Sequence, residues 1–322
     1  MRSVIGYLVC LFVGLTIIFT FLPRPEPVQA NEPLRADRVQ INALLDVGRR
    51  VLAVGERGSI LFSDDAGISW HQAQVDRQRQ VALTALVALD DTHLLAVGHD
   101  GWILRSTDGG QQWREVRHDE QLGEPLLGVW TAGDERVLAY GSFGKLYQSD
   151  DAGLTWHKRE LDIDNAHLNG LDGAADGRRM LVGEQGLVLR SVDAGAHWQA
   201  LPAFYNGSLF GVVRLNDDNW VAYGMRGHVF VSHDFGGRWR ALDTGNAQPL
   251  YGHARLADGG LVIVGAGGSL VQLDARGMRV HAERLAGRGT LTSAAVVGSR
   301  LLLGGEQGVF EVSAGNLATL GR

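Results

Sequence analysis

Residues 141–156 read Gly-Ser-Phe-Gly-Lys-Leu-Tyr-Gln-Ser-Asp-Asp-Ala-Gly-Leu-Thr-Trp: a glycine turn, a short strand and a second turn closed by tryptophan. The frame is Gly-x-x-Gly, an apolar pair, then Ser-x-Asp-x-Gly-x-x-Trp. It returns at residues 55–70, 98–113, 183–198 and 224–239, and copies lacking the tryptophan begin at Gly265 and Gly305. The leading glycines lie 43, 43, 42, 41, 41 and 40 residues apart. A period of about 40 to 45 residues is that of a four-stranded propeller blade. Seven units therefore predict an all-β, seven-bladed β-propeller of four-stranded antiparallel blades.

Each unit has four parts, clearest in the second, where strands are expected over 83–89, 93–98, 102–106 and 113–117. The second strands are unbroken apolar runs, which means that both of their faces are covered. First strands carry an aliphatic, a variable and a small residue, from Ile41-Asn42-Ala43 through Leu209-Phe210-Gly211 to Leu291-Thr292-Ser293. The small residue fits the crowding beside the central channel. The seventh unit ends soon after Phe310-Glu311-Val312, whereas residues 33–40 precede the first unit's own strand. The ring is therefore expected to be closed by the N-terminal strand, as the outer strand of the last blade, which would satisfy an otherwise open edge.

The repeated turn divides between hydrogen bonding and packing. Its aspartates (Asp65, Asp108, Asp151, Asp193, Asp234) suit acceptance of N–H bonds within the turn, and the following glycine suits a left-handed backbone. Its tryptophans (Trp70, Trp113, Trp156, Trp198, Trp239) are expected to pack between blades. One such aspartate per blade cannot converge with the others on a metal or a substrate, so the motif reads as structural.

Glycine is abundant at 44 residues and proline scarce at 7, which suits short strands and tight turns. Cys10 is the single cysteine, so the body forms no internal disulfide. A net charge of −6 argues against a nucleic-acid partner. Residues 1–30 form a targeting segment: Arg2 is followed by an apolar run over 4–22, and Val28-Gln29-Ala30 fits a signal-peptidase site. The run is also long enough to span a bilayer, so cleavage after Ala30 and retention as an inner-membrane anchor both stand. Either places residues 31–322, the propeller, outside the cytoplasm, in a bacterial periplasm.

The Ser-x-Asp-x-Gly-x-x-Trp motif resembles the Asp-box, or bacterial neuraminidase repeat, over the whole chain after residue 40. The longer frame and the seven units are similar to the photosystem II stability and assembly factor family, and to its non-photosynthetic bacterial branch. That resemblance implies an exported, non-catalytic scaffold or assembly factor for an envelope membrane protein or complex. It also implies an accessory role beside a resistance-nodulation-division type transporter. It marks no partner-binding residue.

A sialidase reading is the alternative, but the Phe-Arg-Ile-Pro segment of those enzymes is absent and seven units do not match their six blades. The third reading is a glycan or small-ligand binder using the channel. No metal-ligand spacing, nucleophile elbow or phosphate loop is present, so no catalytic residue, metal or cofactor is expected. If a partner binds, the turns between second and third strands and the links between blades, which share one face of a propeller, are where it is expected. Arg57, Arg77, Arg79, Phe143, Tyr205 and Arg226 are the candidate binding residues there. The chain is expected to be monomeric in itself.

Overall fold

A computed structural model describes residues 7, 11–14, 16, 35–119, 123–278 and 280–312. The chain divides into a short unit, Met1–Pro33, and a second unit, Leu34–Arg322, which holds the propeller. In the first unit residues 7, 11–14 and 16 are helical. The rest of residues 1–30, expected from the sequence to be a targeting segment, lies outside the described residues. No helix among the described residues is long and apolar enough to cross a membrane.

The second unit contains seven sheets, each built on consecutive antiparallel strands, one of which gains a further strand in parallel. The first blade comprises Ile41–Asp46, Val51–Gly55, Ile60–Ser63 and His71–Gln72. Second strands such as Val51–Gly55, Leu94–Gly98 and Leu261–Gly265 are buried at every residue, as their unbroken apolar sequences require. Clusters formed across neighbouring blades make up the core. One of them joins Leu52 and Val54 of the first blade to Leu94, Leu104 and Trp113 of the second.

The small residue of each first strand is needed for packing. A Cβ on Gly211 would overlap the Tyr223 ring, and one on Gly170 would lie 2.8 Å from the Gly211 Cα of the next blade. A side chain at Gly170 would therefore push two blades apart, while Ala43, Ala85 and Ser293 keep the equivalent position small in other blades.

The repeated turn is closed as its sequence implies. Ser149 Oγ donates to Asp151 Oδ1 at 2.8 Å and accepts from the Gly153 N–H, while Asp151 accepts from the N–H groups of Leu154 and Thr155. Gly153 is left-handed at φ 81°, and so is Ala152 before it at φ 56°, a second strained position that the sequence did not announce. The tryptophans do pack between blades, but unequally. Trp113 is fully buried, and the other four are half-buried.

Three features depart from expectation. Residues 35–40 do close the ring, since the Ala36 carbonyl accepts from the Val309 N–H and Ala36 packs in a core cluster with Ile41, Leu302 and, at its edge, Val309. They do so as a turn, in the place that interblade links occupy elsewhere, and not as the outer strand. The last sheet accordingly has three strands among the described residues, Leu291–Val297, Arg300–Gly305 and Gly308–Val312. Next, the first blade's outer strand leaves its sheet after Gln72. Gln74–Val75 then pairs in parallel with Gln112–Trp113, adding a fifth strand to the second blade. Finally, Arg179 occupies a second-strand position that is apolar in the other blades and is only 1% exposed. Its guanidinium lies 4.8 Å over the Trp130 ring, with Nε and Nη1 lacking a hydrogen-bond partner among the described residues.

Candidate functional site

The three-residue turns between second and third strands sit on the same face as the links between blades. The Ser142 N–H donates to Pro125, the Gly144 N–H to Ala166 and the Gly186 N–H to Gly207, tying turn to link. The hairpins between first and second strands share the opposite face with the Ser-Asp turns, through bonds such as Ala152 N–H to Glu135 and Phe235 N–H to Asp218.

On the link face each turn holds its middle residue left-handed. These apex residues are Arg57, Asp100, Phe143, Gln185, Arg226 and Gly267, with φ between 54° and 62°. A left-handed backbone costs a residue with a Cβ about 1 kcal/mol, yet five of the six carry a side chain. That side chain stands away from the turn, so the apexes form a ring of projecting groups.

Three candidate residues, Arg57, Phe143 and Arg226, occupy apexes of the first, third and fifth blades. Phe143 is 52% exposed and meets His167 edge-on at 4.9 Å. Arg57 and Arg226 are exposed and form no hydrogen bond or ion pair among the described residues. The structure separates the other three candidates from this set. Arg79 makes two 2.7 Å bonds to Glu115 of the second blade, which also accepts from Trp102 Nε1 at 2.9 Å. The bond from Arg79 holds the Glu115 carboxyl below its ordinary range against the cost of burial. Arg79 thus fastens a link, because its charge is already spent. Arg77 is exposed, 3.6 Å from the same carboxylate. Tyr205 is half-buried against His228 and Phe230 and donates to the Met225 carbonyl at 3.2 Å. Burial raises its hydroxyl pKa. Tyr205 therefore braces the Met225–Gly227 turn from behind and does not stand free beside it.

A second set of residues lies where inner strands converge, at the position that reads only as variable in the repeat. Asn42 Nδ2 donates to the Leu83 carbonyl, Thr84 Oγ1 to Leu126, Asn169 Nδ2 to Leu209 and Thr292 Oγ1 to Ile41. Each bond runs from one blade's inner strand to the next, so four of the seven seams are stitched at the channel. The third, fifth and sixth blades carry Leu127, Phe210 and Tyr251 instead. Four residues of polar identity at one repeat position were the available signal. Further along the channel Asp172 accepts from Trp130 Nε1, the Arg214 N–H and Arg255. His253 bonds to the Tyr223 hydroxyl at 2.7 Å, and burial pushes it down to about 4. These groups satisfy one another. No metal-holding cluster occurs among the described residues.

Residues 45–165 match the family model described as photosynthesis system II assembly factor YCF48. No curated protein matches the chain in sequence. Among solved structures, YCF48 from Cyanidioschyzon merolae superposes with a TM-score of 0.70 at 18% identity, covering 88% of this chain and 98% of that one. YCF48 bound to a D1 peptide gives 0.69 at 15% identity, covering 86% and 94%. The WD40 β-propeller domain of Doa1 gives 0.70 at 13% identity, covering 87% and 94%, so these superpositions speak for the propeller and not for a partner. With the family's sequence recognisable over residues 45–165 and the same ring of blades, the chain is a YCF48-like seven-bladed propeller.

Proposed function

We propose that this chain is an exported, non-catalytic scaffold whose link face binds an extended segment of an envelope membrane protein during assembly or operation of its complex. One observation carries the reading: a solved propeller of the same kind, YCF48, is bound to a D1 peptide. The link face supports it with an exposed aromatic, Phe143, and two arginines without partners among the described residues, Arg57 and Arg226, on turns closed by backbone hydrogen bonds. Aromatic and arginine side chains held in place are what interface anchors require. Export follows from residues 1–30, and the periplasm is the compartment proposed.

Capture from detergent-solubilised envelope with the wild-type chain, compared with the triple variant Arg57→Asn/Phe143→Asn/Arg226→Asn, tests the reading. A membrane protein retained by the wild type and lost by the variant is the expected result. Its identity, a resistance-nodulation-division transporter among the outcomes, is read from the same experiment. Equal retention by both chains would remove the link face from the account. An alkaline phosphatase fusion after residue 34 tests export separately, and an inactive fusion would overturn the periplasmic assignment.

A further inference from the structure

The stitching at the channel is missing in the third blade, where Leu127 stands, and in two consecutive blades, the fifth and sixth. Phe210 and Tyr251 stand where Asn or Thr caps the next blade's carbonyl elsewhere, so Leu250 and Leu291 receive no such side-chain bond among the described residues. The two rings lie 5.3 Å apart, inclined at 41°, and Tyr251 is 37% exposed. The Met225–Gly227 turn packs against the Leu250–Arg255 strand, and Met225 is itself 37% exposed. Apolar side chains and two carbonyls without a side-chain cap among the described residues thus gather where the fifth and sixth blades meet, with the exposed Arg226 on the adjoining apex.

Nothing in blade architecture asks for this. The other caps show that a polar residue fits the site and closes the seam, so Phe210 and Tyr251 forgo two seam bonds and expose aromatic surface. An occupant that repays both losses must bring an apolar group and N–H donors together, and a carboxylate to meet Arg226. An extended peptide has all three. A flat sugar ring fits less well, because the two aromatic planes are inclined and offer no common platform, whereas the flexible Met225 thioether adapts to a side chain.

We propose that the channel mouth between the fifth and sixth blades receives one apolar side chain of an extended acidic peptide. Phe210, Met225 and Tyr251 enclose that side chain, the Leu250 and Leu291 carbonyls accept peptide N–H bonds, and Arg226 pairs with a neighbouring carboxylate. The inference rests on the peptide-binding reading of the link face and names the residues and peptide chemistry that it would use.

The probe is a fluorescein-labelled, N-acetylated hexapeptide Gly-Asp-Leu-Phe-Asp-Gly, titrated with the full chain and followed by fluorescence anisotropy. Saturable binding is expected, weakened about tenfold or more when Leu and Phe of the peptide become Ser, the size of a lost aromatic anchor. The Phe210→Asn/Tyr251→Asn variant, which restores the cap, should lose the same factor while melting at or above the wild-type temperature. Arg226→Asn should weaken only the peptide that retains its aspartates. If the double variant melts lower, Met225→Ser supplies the same readout from an exposed turn. Undiminished binding by the capped variant overturns the proposal, as does wild-type binding that ignores the apolar residues or prefers a neutral oligosaccharide. Absence of peptide binding alongside successful membrane-protein capture overturns this inference alone. Failure of both experiments removes the peptide reading as well.

Discussion

On one face of the ring, Ser149, Asp151 and Thr155 bond to one another and to their own backbone, and the same set recurs at Ser63, Asp65 and Ser69. On the other face the turns are just as regular, with apex φ values within a few degrees of one another, yet Arg57, Phe143 and Arg226 project without such partners. Both faces are repeats, but one conserves side chains from blade to blade and the other only backbone. A group that recurs with its partners serves the blade. A group that changes on a constant backbone is free to serve something outside it.

The sharpest way to break this comparison is to cut into the Ser-Asp face. Trp113 is fully buried between the first two blades and donates Nε1 to the Gly110 carbonyl at 2.9 Å. Trp113→Ala should cost about 3 to 5 kcal/mol, the range of large aromatic truncations in cores. Asp108→Ala, in the same turn, should cost only about 1 kcal/mol. Urea unfolding of the two variants checks the ordering, and equal losses would contradict the division between packing and hydrogen bonding.

Arg179 sharpens the comparison from the core. It stands in a run that is apolar in every other blade, and burial lowers its pKa, with no ion pair among the described residues to offset desolvation. Stacking on Trp130 recovers part of that cost. Arg179→Leu should raise stability by about 1 kcal/mol or more, because replacing a buried charge with an apolar group of similar size is often favourable. A lower melting temperature would mean that the cation is better compensated than its geometry indicates.

Acid should weaken the Ser-Asp face. Asp151 is held down to about 2, first by the Thr155 hydroxyl and then by the Thr155 N–H, with Ser149 and Leu154 adding to them against the effect of burial. Asp65 and Asp193 are held well below the ordinary carboxylate range by equivalent bonds to Ser69 and His197. Their folded pKa values lie below the unfolded value of about 3.9, so their stabilisation is fully present above that pH. It is lost as pH falls from about 4 through about 2, where the unfolded chain binds more protons. Urea midpoints measured across that window should fall more steeply for the wild type than for Asp151→Asn. Parallel slopes would count against a role for this carboxylate in the turn.

How much of this was legible in the sequence follows from the repeat itself. The apolar second strands and the roles of serine, aspartate and tryptophan are local to one unit, seven copies of the first and five of the second reinforce the reading, and their spacing gives the period and blade number. Interactions between units are not local. Arg79 and Glu115 are 36 positions apart, so an exposed-looking basic link reads as a binding residue until the ring brings the carboxylate to it. The parallel pairing of residues 74 and 75 depends on which neighbour's edge lies nearby. Phe210 and Tyr251 were visible only as a variable position, because the carbonyls that Asn42 and Thr84 cap belong to the next blade.

The smallest effect on stability is expected at the link-face apexes, and there its sign is the informative part. Arg57, Phe143 and Arg226 have φ of 55° to 57°, a region that asparagine tolerates better than arginine or phenylalanine. If these turns were selected for stability alone, asparagine or glycine would stand at them, as Gly267 does in the sixth blade at φ 62°. Arg57→Asn/Phe143→Asn/Arg226→Asn should therefore leave the melting temperature unchanged or raise stability by up to about 1 kcal/mol, while partner capture is lost. Phe143 gives up its edge contact with His167 in the exchange, so the two arginine positions should account for any gain. Calorimetry of the triple variant and of Arg57→Asn/Arg226→Asn separates the contributions. A clear loss of stability in the double variant would place the arginines in the service of the fold, and the distinction between the two faces would then fail at the residues on which it most depends.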